Sequence, residues 1–262
     1  MSPRVTVERD GQVLLIGVNR PDKRNAWDRQ TIDEVALAYD RLADDPEARA
    51  GVVFGHGEHF SAGLDLGDVW PAVTEHGPDA LAGAGRHDPF GLWKEPVPKP
   101  VVMAVQGIAF TLSIELALAS DIVIAAEDVR FRQLEIGRGI LPFGGATLRA
   151  PAQLGWGNAM KFLLTGQEFG ADEAYRVGLV QEVVKPGEQL DRAMALAKLI
   201  AAQAPLGVQG TLANARVALR SGSERAAAEH LRATLPGVVV SEDAKEGLQS
   251  FLERREARFT GK

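Results

Sequence analysis

The first part of the chain alternates short apolar runs with stretches whose apolar residues recur at helical spacing. Residues 5–8 and Val13–Val18 are β-like runs on either side of Asp10 and Gly11, a pair that predicts a tight hairpin turn. Residues 28–42 place apolar side chains three and four positions apart, which predicts an amphipathic helix. The chain therefore opens with a predicted hairpin followed by a helix.

Three further apolar runs, over residues 52–54, 101–105 and 122–125, are short enough to predict buried strands. The first two end in turns that contain glycine. This recurrence of apolar run, glycine turn and helix is a weak internal repeat that indicates stacked β-β-α units. Strands that alternate with helices favour the α/β fold class.

Strand signals stop near residue 198, and helical patterns follow over residues 205–219, 223–235 and 241–258. The last two begin at serines, which are favoured helix caps. We therefore divide the chain into a core over residues 1–198 and a C-terminal helical region over residues 199–262. Helices added to a complete core need a partner for their apolar sides, so this region is expected to pack on the core or on a neighbouring subunit.

Residues 67–100 interrupt the repeat with two tryptophans and several prolines and glycines, and they predict a long irregular segment. Long loops of this kind often form a lid or the wall of a pocket. A variable surface excursion fits the same composition equally well, so both interpretations stay open at this point.

The composition is that of a globular protein: 262 residues, of which 45% are hydrophobic and 24% charged. The net charge of −6 argues against a nucleic-acid surface, which needs clustered Lys and Arg. The chain has no cysteine, which excludes disulfides, thiolate metal sites and cysteine nucleophiles. No apolar run has the length of a membrane span or a signal peptide, so we expect a cytoplasmic protein without a membrane partner.

A metal site is the first chemistry to weigh, because His56 and His59 have a spacing that suits metal ligands. Asp65 and Asp68 follow them. These residues lie in a glycine-rich loop without a fixed helical face, and no third ligand is fixed by spacing. We expect no metal site. The chain also lacks the glycine-rich phosphate loops, the H-E-x-x-H zinc motif and the G-x-S-x-G motif.

Two segments place backbone N–H groups where a ligand oxygen could reach them. The small residues 61–63 follow a strand and a glycine turn, and small side chains let another molecule approach the backbone. A second strand ends at Gly107, and a helix is predicted to begin near Thr111. The N–H of Leu112 then belongs to the first helical turn, whose N–H groups are unpaired and meet the positive end of the helix dipole.

Two glutamates accompany these donors. Glu115 lies three residues after Leu112, on nearly the same helix face, and apolar residues surround it in the sequence. Glu135 follows a short extended stretch and precedes a run of glycines, where a turn can place a carboxylate in a cleft. Taken singly, Glu115 also fits a helix N-terminal acid and Glu135 also fits a solvated loop acid.

Together and in this order, these segments resemble the crotonase superfamily, which is the enoyl-CoA hydratase/isomerase family. The resemblance extends over nearly the whole chain. The segments that carry it are residues 19–26, 60–66, 106–115, 119–125, 135–145 and 164–167, and the ending 251–259 is similar to the terminal helix of the family.

The resemblance implies a spiral of β-β-α units that binds acyl-CoA, followed by helices that mediate a homotrimer or homohexamer. It assigns the N–H groups of Leu64 and Leu112 to an oxyanion hole for the thioester carbonyl. It makes Glu115 and Glu135 catalytic, one activating water and the other protonating the α-carbon. Coenzyme A enters as part of the substrate, and no other cofactor is implied.

For substrate and coenzyme A binding, the resemblance places Arg24 and Ala26 beside the nucleotide or the pantetheine. It places Ala62, Asp65 and Leu66 around the adenine, and Leu64 and Leu112 at the thioester. An ordinary surface cation is an equally good interpretation of Arg24.

The implied activity is that of an enoyl-CoA hydratase, with syn addition of water to a 2-enoyl-CoA giving a 3-hydroxyacyl-CoA. Family isomerases generally lack one glutamate of the pair, and this chain has both. The alternatives are an isomerase, a specialised dehydratase, a C–C hydrolase, or a non-catalytic binding protein, against which the glutamate pair counts.

One departure from the family pattern concerns the glycine cluster at the helix start. This chain has Thr111, Leu112 and Ser113 there. The donor is a backbone group, so leucine does not remove it. We expect the Leu112 side chain to reshape the acyl pocket, and Leu112→Gly to admit bulkier acyl groups.

Overall fold

Residues 3–262, which the computed structural model describes, form nine strands and ten α-helices. The strands are β1 (Val5–Asp10), β2 (Val13–Val18), β3 (Ala50–Gly55), β4 (Val101–Val105), β5 (Ile108–Phe110), β6 (Ile122–Ala126), β7 (Arg130–Arg132), β8 (Phe169–Gly170) and β9 (Glu182–Val184). The helices are α1 (Arg29–Asp44), α2 (Leu66–His76), α3 (Leu112–Ala119), α4 (Ala146–Leu154), α5 (Trp156–Thr165), α6 (Ala171–Val177), α7 (Gln189–Ala201), α8 (Pro205–Ser221), α9 (Glu224–Val239) and α10 (Glu242–Glu253).

The larger sheet has six strands in the order β1-β2-β3-β4-β6-β9. β1 and β2 form the predicted antiparallel hairpin, with Val5 opposite Val18. Its turn contains Gly11 at φ 59°, a left-handed conformation that glycine adopts without steric cost. The other neighbouring pairs are parallel, as the α/β prediction requires.

A second, smaller layer completes the repeat. It consists of β5, β7 and β8, and a bridge between Ser61 and Ala109 extends it to the segment after β3. After the first hairpin, in which both strands belong to the larger sheet, the chain passes from a strand of that sheet through an extended segment of the smaller layer into a helix. β4, β5 and α3 form one such turn. This arrangement confirms the predicted spiral of β-β-α units.

The larger sheet is covered on both faces, because successive residues of a strand point to opposite sides. Val53 and Met103 belong to the main core, together with side chains of α1 and α3. Their neighbours Val52 and Val102 pack on the other face against alanines of α7. The boundary set between residues 198 and 199 falls inside α7, whose contacts attach it to the sheet.

The three C-terminal helices form where the sequence predicts them, and no strand of the described chain follows β9. Ser223 and Ser241 cap α9 and α10 by accepting the N–H groups three residues on. The prediction for α10 runs too far: the helix ends at Glu253, because Arg254 adopts φ 56° and leaves the helical path. α8 buries none of its residues within the described chain.

The prediction of an irregular segment over residues 67–100 is wrong in its first part. Helix α2 and a short 3-10 helix (Gly77–Leu81) occupy it. Val69 and Ala72 give α2 a buried side at helical spacing, while Pro71 inside the helix hides that pattern in the sequence. The remainder is ordered by the buried carboxylate of Asp88, which accepts three backbone N–H groups of residues 90–93. Among the described residues, no helix is both long enough and apolar enough to cross a lipid bilayer.

Candidate active site

The first unpaired N–H group belongs to Leu112, the first residue of α3. Thr111 joins β5 to this helix, and its own N–H donates to the carbonyl of Arg132 (2.9 Å). The N–H of Leu112 has no partner within residues 3–262. It therefore remains available to an oxygen at the N-terminal end of the helix, where the dipole favours negative charge.

The second unpaired N–H group belongs to Leu64. Trp27 pairs with this segment: its N–H donates to the Gly63 carbonyl, and its carbonyl accepts from Asp65, both at 2.9 Å. Successive groups of an extended segment point to opposite sides, so the intervening Leu64 N–H points away from Trp27. It donates to no atom of the described chain.

The two donor segments touch each other. Gly63 has φ 104°, and a Cβ at this position would collide with the hydroxyl oxygen of Thr111. The requirement for glycine therefore has two reasons, the backbone conformation and this close approach. Ser113 strengthens the contact, because its hydroxyl donates to the Ser61 carbonyl at 3.3 Å. The structure thus brings together the two segments that the sequence analysis selected as donors.

A cavity of about 360 Å³ lies at this junction. Its walls come from the segments around the two donors and from the stretch that follows β7. The lining residues are Lys23, Ala26, Ala62, Leu64, Asp65, Leu66, Thr111, Leu134, Glu135, Arg138, Ile140 and Phe143.

Most residues proposed for substrate binding share this cavity, but two do not. Arg24 is exposed and outside the lining, although its carbonyl accepts the N–H of Ala62 at 2.9 Å. Leu112 is the other exception. The cationic side chains that do line the cavity are Lys23 and Arg138. Lys23 lies within residues 19–26, one of the segments that carried the resemblance. The sequence analysis therefore chose the right segment for substrate binding but named Arg24 as its cation instead of Lys23.

The expectation for the Leu112 side chain is wrong. This side chain is 1% exposed and belongs to the main core, so it points away from the cavity. Thr111 lines the cavity in its place. The reason lies in the helix geometry: the N–H of a first-turn residue points out of the helix end, while its side chain projects sideways. The bulk of residue 112 therefore does not set the shape of the acyl pocket.

Glu115 lies in the middle of α3 and is 3% exposed. Its Oε1 accepts the N–H groups of Gly144 at 2.8 Å and Ala146 at 3.2 Å. Burial raises the pKa of Glu115 to about 7, against the opposing effect of these bonds and of the Arg149 charge. The carboxyl is not part of the cavity lining, but Phe143, directly before one of its donors, is.

Glu135 begins a short 3-10 helix (Glu135–Arg138) and lines the cavity at 7% exposure. Its Oε1 accepts the side-chain N–H of Gln133 at 3.1 Å. Its Oε2 is buried without a partner in the part of the chain that the structure describes. Burial raises the pKa of Glu135 to about 7, and the charge of Glu115 adds to the rise. The two carboxyls are therefore close enough to influence each other's protonation.

Gln133 is a site residue that the sequence analysis missed. It is 1% exposed, holds Glu135, and its own Oε1 is buried without a partner in residues 3–262. The sequence carried no clear signal for it, because Leu134 between Gln133 and Glu135 has a helical conformation and the pair does not follow the alternation of a strand.

The histidines weighed as metal ligands have other partners. His56 Nε2 lies 2.7 Å from the Thr6 hydroxyl, and His59 Nδ1 lies 3.4 Å from the N–H of Ile108. Within residues 3–262, no group of three or more His, Asp or Glu side chains is arranged to hold a metal ion.

A larger cavity of about 770 Å³ lies between residues 88–97 and helix α8. Two of its carboxylates are already engaged, Asp121 by Arg216 and Asp88 by backbone N–H groups. Neither glutamate and neither unpaired N–H group reaches it. The smaller cavity is therefore the better candidate for the active site.

Comparison with known proteins gives a consistent result. A family model described as Enoyl-CoA hydratase/isomerase matches residues 8–262. A carnitinyl-CoA dehydratase of Salmonella paratyphi A is 36% identical over an alignment of 274 residues that covers both chains completely.

Solved structures agree with this match. A probable enoyl-CoA hydratase/isomerase from Mycobacterium abscessus is 49% identical, with a TM-score of 0.94 over 99% of each chain. An enoyl-CoA hydratase from Mycobacterium tuberculosis is 36% identical, with a TM-score of 0.88 over the whole of both chains.

Proposed function

The chain belongs to the enoyl-CoA hydratase/isomerase family, and from this membership we propose that it is an enoyl-CoA hydratase. Water adds with syn geometry to a 2-enoyl-CoA and gives a 3-hydroxyacyl-CoA. The proposal rests on one observation above all: Glu115 and Glu135 are both buried, and the pKa of each is raised to about 7. Carboxyls with such values exchange protons readily at neutral pH.

The N–H groups of Leu64 and Leu112 bind the thioester oxygen in this proposal. Negative charge grows on that oxygen as the enolate forms, so fixed donors stabilise the transition state more than the bound substrate. Removal of one such donor typically costs about 3 kcal/mol. No change of oxidation state occurs, so the proposed reaction requires coenzyme A only as part of the substrate.

The hydrogen bonds suggest how the glutamates divide the work. Two backbone N–H groups stabilise the ionised form of Glu115, which suits a base that takes a proton from water as its oxygen attacks the β-carbon. Glu135 accepts a side-chain bond at 3.1 Å, and the Glu115 charge raises its pKa against the opposing backbone N–H groups of Leu134 and Glu135, which favours its protonated form. It gives its proton to the α-carbon and becomes ionised. The proton that Glu115 took from water then passes to Glu135, which restores the starting arrangement.

Loss of the ultraviolet absorbance of the crotonyl-CoA enoyl thioester tests the reaction. We expect the purified protein to remove this absorbance and to form 3-hydroxybutyryl-CoA. A series of enoyl-CoAs of increasing chain length then ranks the acyl groups. Absence of turnover on every member of the series would refute the hydratase proposal.

Dehydration of a polar hydroxyacyl-CoA is the second candidate, because the chain is 36% identical over its full length to carnitinyl-CoA dehydratases. The chemistry is the reverse of hydration and uses the same groups. Assay of carnitinyl-CoA, with 3-hydroxybutyryl-CoA as the apolar comparison, decides between the two. Faster dehydration of carnitinyl-CoA would favour this candidate.

We further propose that Ala26, Ala62, Asp65 and Leu66 contact coenzyme A, and that Arg24 contributes a cation for its phosphates. The Arg24 carbonyl is bonded to Ala62, which lines the cavity, so the side chain starts beside the cavity wall. Arg24→Ala should raise KM with little effect on kcat. An unchanged KM would return Arg24 to the class of ordinary surface cations.

We also propose that the chain assembles as a homotrimer or homohexamer through the C-terminal region. Its helices leave large apolar side chains exposed, including Phe251 at 79% and Leu252 at 67%. Such a surface is typical of an interface between subunits. Light scattering at micromolar concentration should give three or six times the chain mass, and a monomer would contradict the proposal.

A further inference from the structure

Thr111 has a backbone conformation that its own side chain disfavours. Its φ is 49° and its ψ is −109°. A β-branched residue at positive φ is an outlier, because its side chain is strained against the backbone there. Glycine would avoid most of that strain. Threonine therefore occupies a position where its side chain lowers the stability of the fold, and a strained residue in a cavity wall is a reason to look for a function.

The hydroxyl of Thr111 is free and lies at the donors. Thr111 lines the cavity of about 360 Å³. Its Oγ1 lies against the α-carbon of Gly63, where a β-carbon would otherwise be, and Gly63 directly precedes Leu64. This Oγ1 makes no hydrogen bond to any other group in residues 3–262, in contrast to the Ser113 hydroxyl, which donates to a carbonyl.

The position of this hydroxyl relates it to both N–H groups. The hydroxyl packs on Gly63, and Leu64 is the next residue in the chain. Leu112 directly follows Thr111 itself. We propose that the Thr111 hydroxyl is a third hydrogen-bond donor to the thioester oxygen, beside the N–H groups of Leu64 and Leu112. This inference rests on the proposed function, since it assigns the thioester to the same cavity.

A hydroxyl is suited to this role because its proton rotates toward whichever acceptor arrives. The bond forms only when substrate is present and strengthens as charge grows on the oxygen. The Thr111 side chain therefore stabilises only the complex with substrate, whereas its strain is present in the free protein as well.

Kinetics of three variants test the donor. Thr111→Val keeps the shape and the strain but removes the hydroxyl, so kcat should fall at least tenfold with KM nearly unchanged. Thr111→Ser restores the hydroxyl and should stay within about threefold of the wild-type kcat. Thr234→Val on α9 is the matched control, because its hydroxyl donates to the His230 carbonyl and does not line the cavity. A Thr111→Val kcat within twofold of wild type would overturn the proposal.

A binding comparison tests the same donor without turnover. Butyryl-CoA has the thioester oxygen, and S-butyl-CoA, its thioether, lacks it. By calorimetry, Thr111→Val should bind butyryl-CoA about fivefold more weakly than wild type and S-butyl-CoA equally well. Equal losses for both probes would mean that the residue only shapes the cavity, which overturns the proposal. If the wild type hydrates no enoyl-CoA, the proposed function fails, and this comparison still decides the role of Thr111.

The thermal stability of a glycine variant tests the strain at Thr111 independently of kinetics and binding. Thr111→Gly should raise the midpoint of thermal unfolding by roughly 2–4 °C, because the left-handed conformation no longer carries a side-chain cost. The same variant should lose kcat as Thr111→Val does. Opposite changes in stability and kcat identify a residue retained for the reaction, whereas a parallel fall in both would identify a structural residue and overturn the proposal.

Discussion

Two segments of the molecule each place a glutamate in the interior, and they hold it in different ways. Glu115 lies within a regular helix and accepts two backbone N–H groups. Glu135 starts a short 3-10 helix, accepts one side-chain N–H, and leaves its Oε2 without a partner in the described chain. Both are almost fully buried, at 3% and 7% exposure.

The difference teaches that burial alone does not assign a catalytic role. Burial is the largest cause of the raised pKa in both glutamates. What separates them is the second largest cause. At Glu115 it is a backbone donor, which opposes the rise, whereas at Glu135 it is the Glu115 charge, which adds to the rise and comes ahead of the backbone N–H groups that oppose it. In the proposed mechanism, the same residue type at similar burial therefore acts as a base in one segment and as an acid in the other.

Removal of either carboxylate should have the largest effect. Glu115→Gln and Glu135→Gln should each lower kcat at least a hundredfold with little loss of CoA affinity, because each variant deletes one of two proton transfers. Glu47→Gln, on the exposed surface, is the matched control. Steady-state kinetics on the best enoyl-CoA measures the effect. Near-normal hydration by either glutamate variant would remove that glutamate from the mechanism.

The pH dependence of kcat/KM should sharpen the comparison. Both pKa values are raised to about 7, so the form with Glu115 ionised and Glu135 protonated is most populated near neutral pH. A bell-shaped profile should result, falling roughly tenfold per unit on each side once it is clear of the maximum. A flat profile between pH 5 and 9 would contradict the assignment.

Loss of the Gln133 bond should act on one glutamate only. The Gln133 N–H lowers the pKa of Glu135, so Gln133→Leu should raise that pKa and move the alkaline side of the profile to higher pH. We expect kcat to fall about tenfold, because the carboxyl is also less well oriented. An alkaline side that stays in place would mean that Gln133 does not control the acid.

Stability should show the smallest effect. A carboxyl whose pKa is higher in the folded chain favours folding fully below its unfolded pKa, and this contribution is lost as pH rises through the folded value. For Glu115 the window runs from 4.5 to about 7. Glu115→Gln avoids that loss, so its free energy of unfolding should exceed that of wild type by up to about 3 kcal/mol at pH 8.

Urea unfolding at pH 5 and pH 8 measures this difference in stability. The gap between Glu115→Gln and wild type should be small at pH 5 and should open toward pH 8. Glu135→Gln should show a gap of the same sign, since its pKa is raised as well. A gap that narrows as the pH rises would contradict the raised pKa values.

Local signals in the sequence predicted much of the fold. The hairpin, helix α1 and the caps at Ser223 and Ser241 depend on neighbouring residues, and all of them form. Helix α2 was missed because Pro71 interrupts its pattern, and only packing of Val69 and Ala72 on the core compensates for the proline. Turns and caps depend on residues that are neighbours in the chain, so a short stretch of sequence predicts them. Stabilisation by contacts with distant residues cannot be predicted from such a stretch.

The sequence by itself determined which segments are candidates for the chemistry: the small residues before Leu64, the helix start at Leu112, and the two glutamates. Tertiary structure alone decided how their atoms are used. It turned the Leu112 side chain into the core and exposed the Thr111 hydroxyl, and it gave Glu115 the N–H groups of a segment about thirty residues away. The physical reason is that a motif fixes residue types and spacing, while direction, desolvation and hydrogen-bond partners depend on what the rest of the chain packs against them.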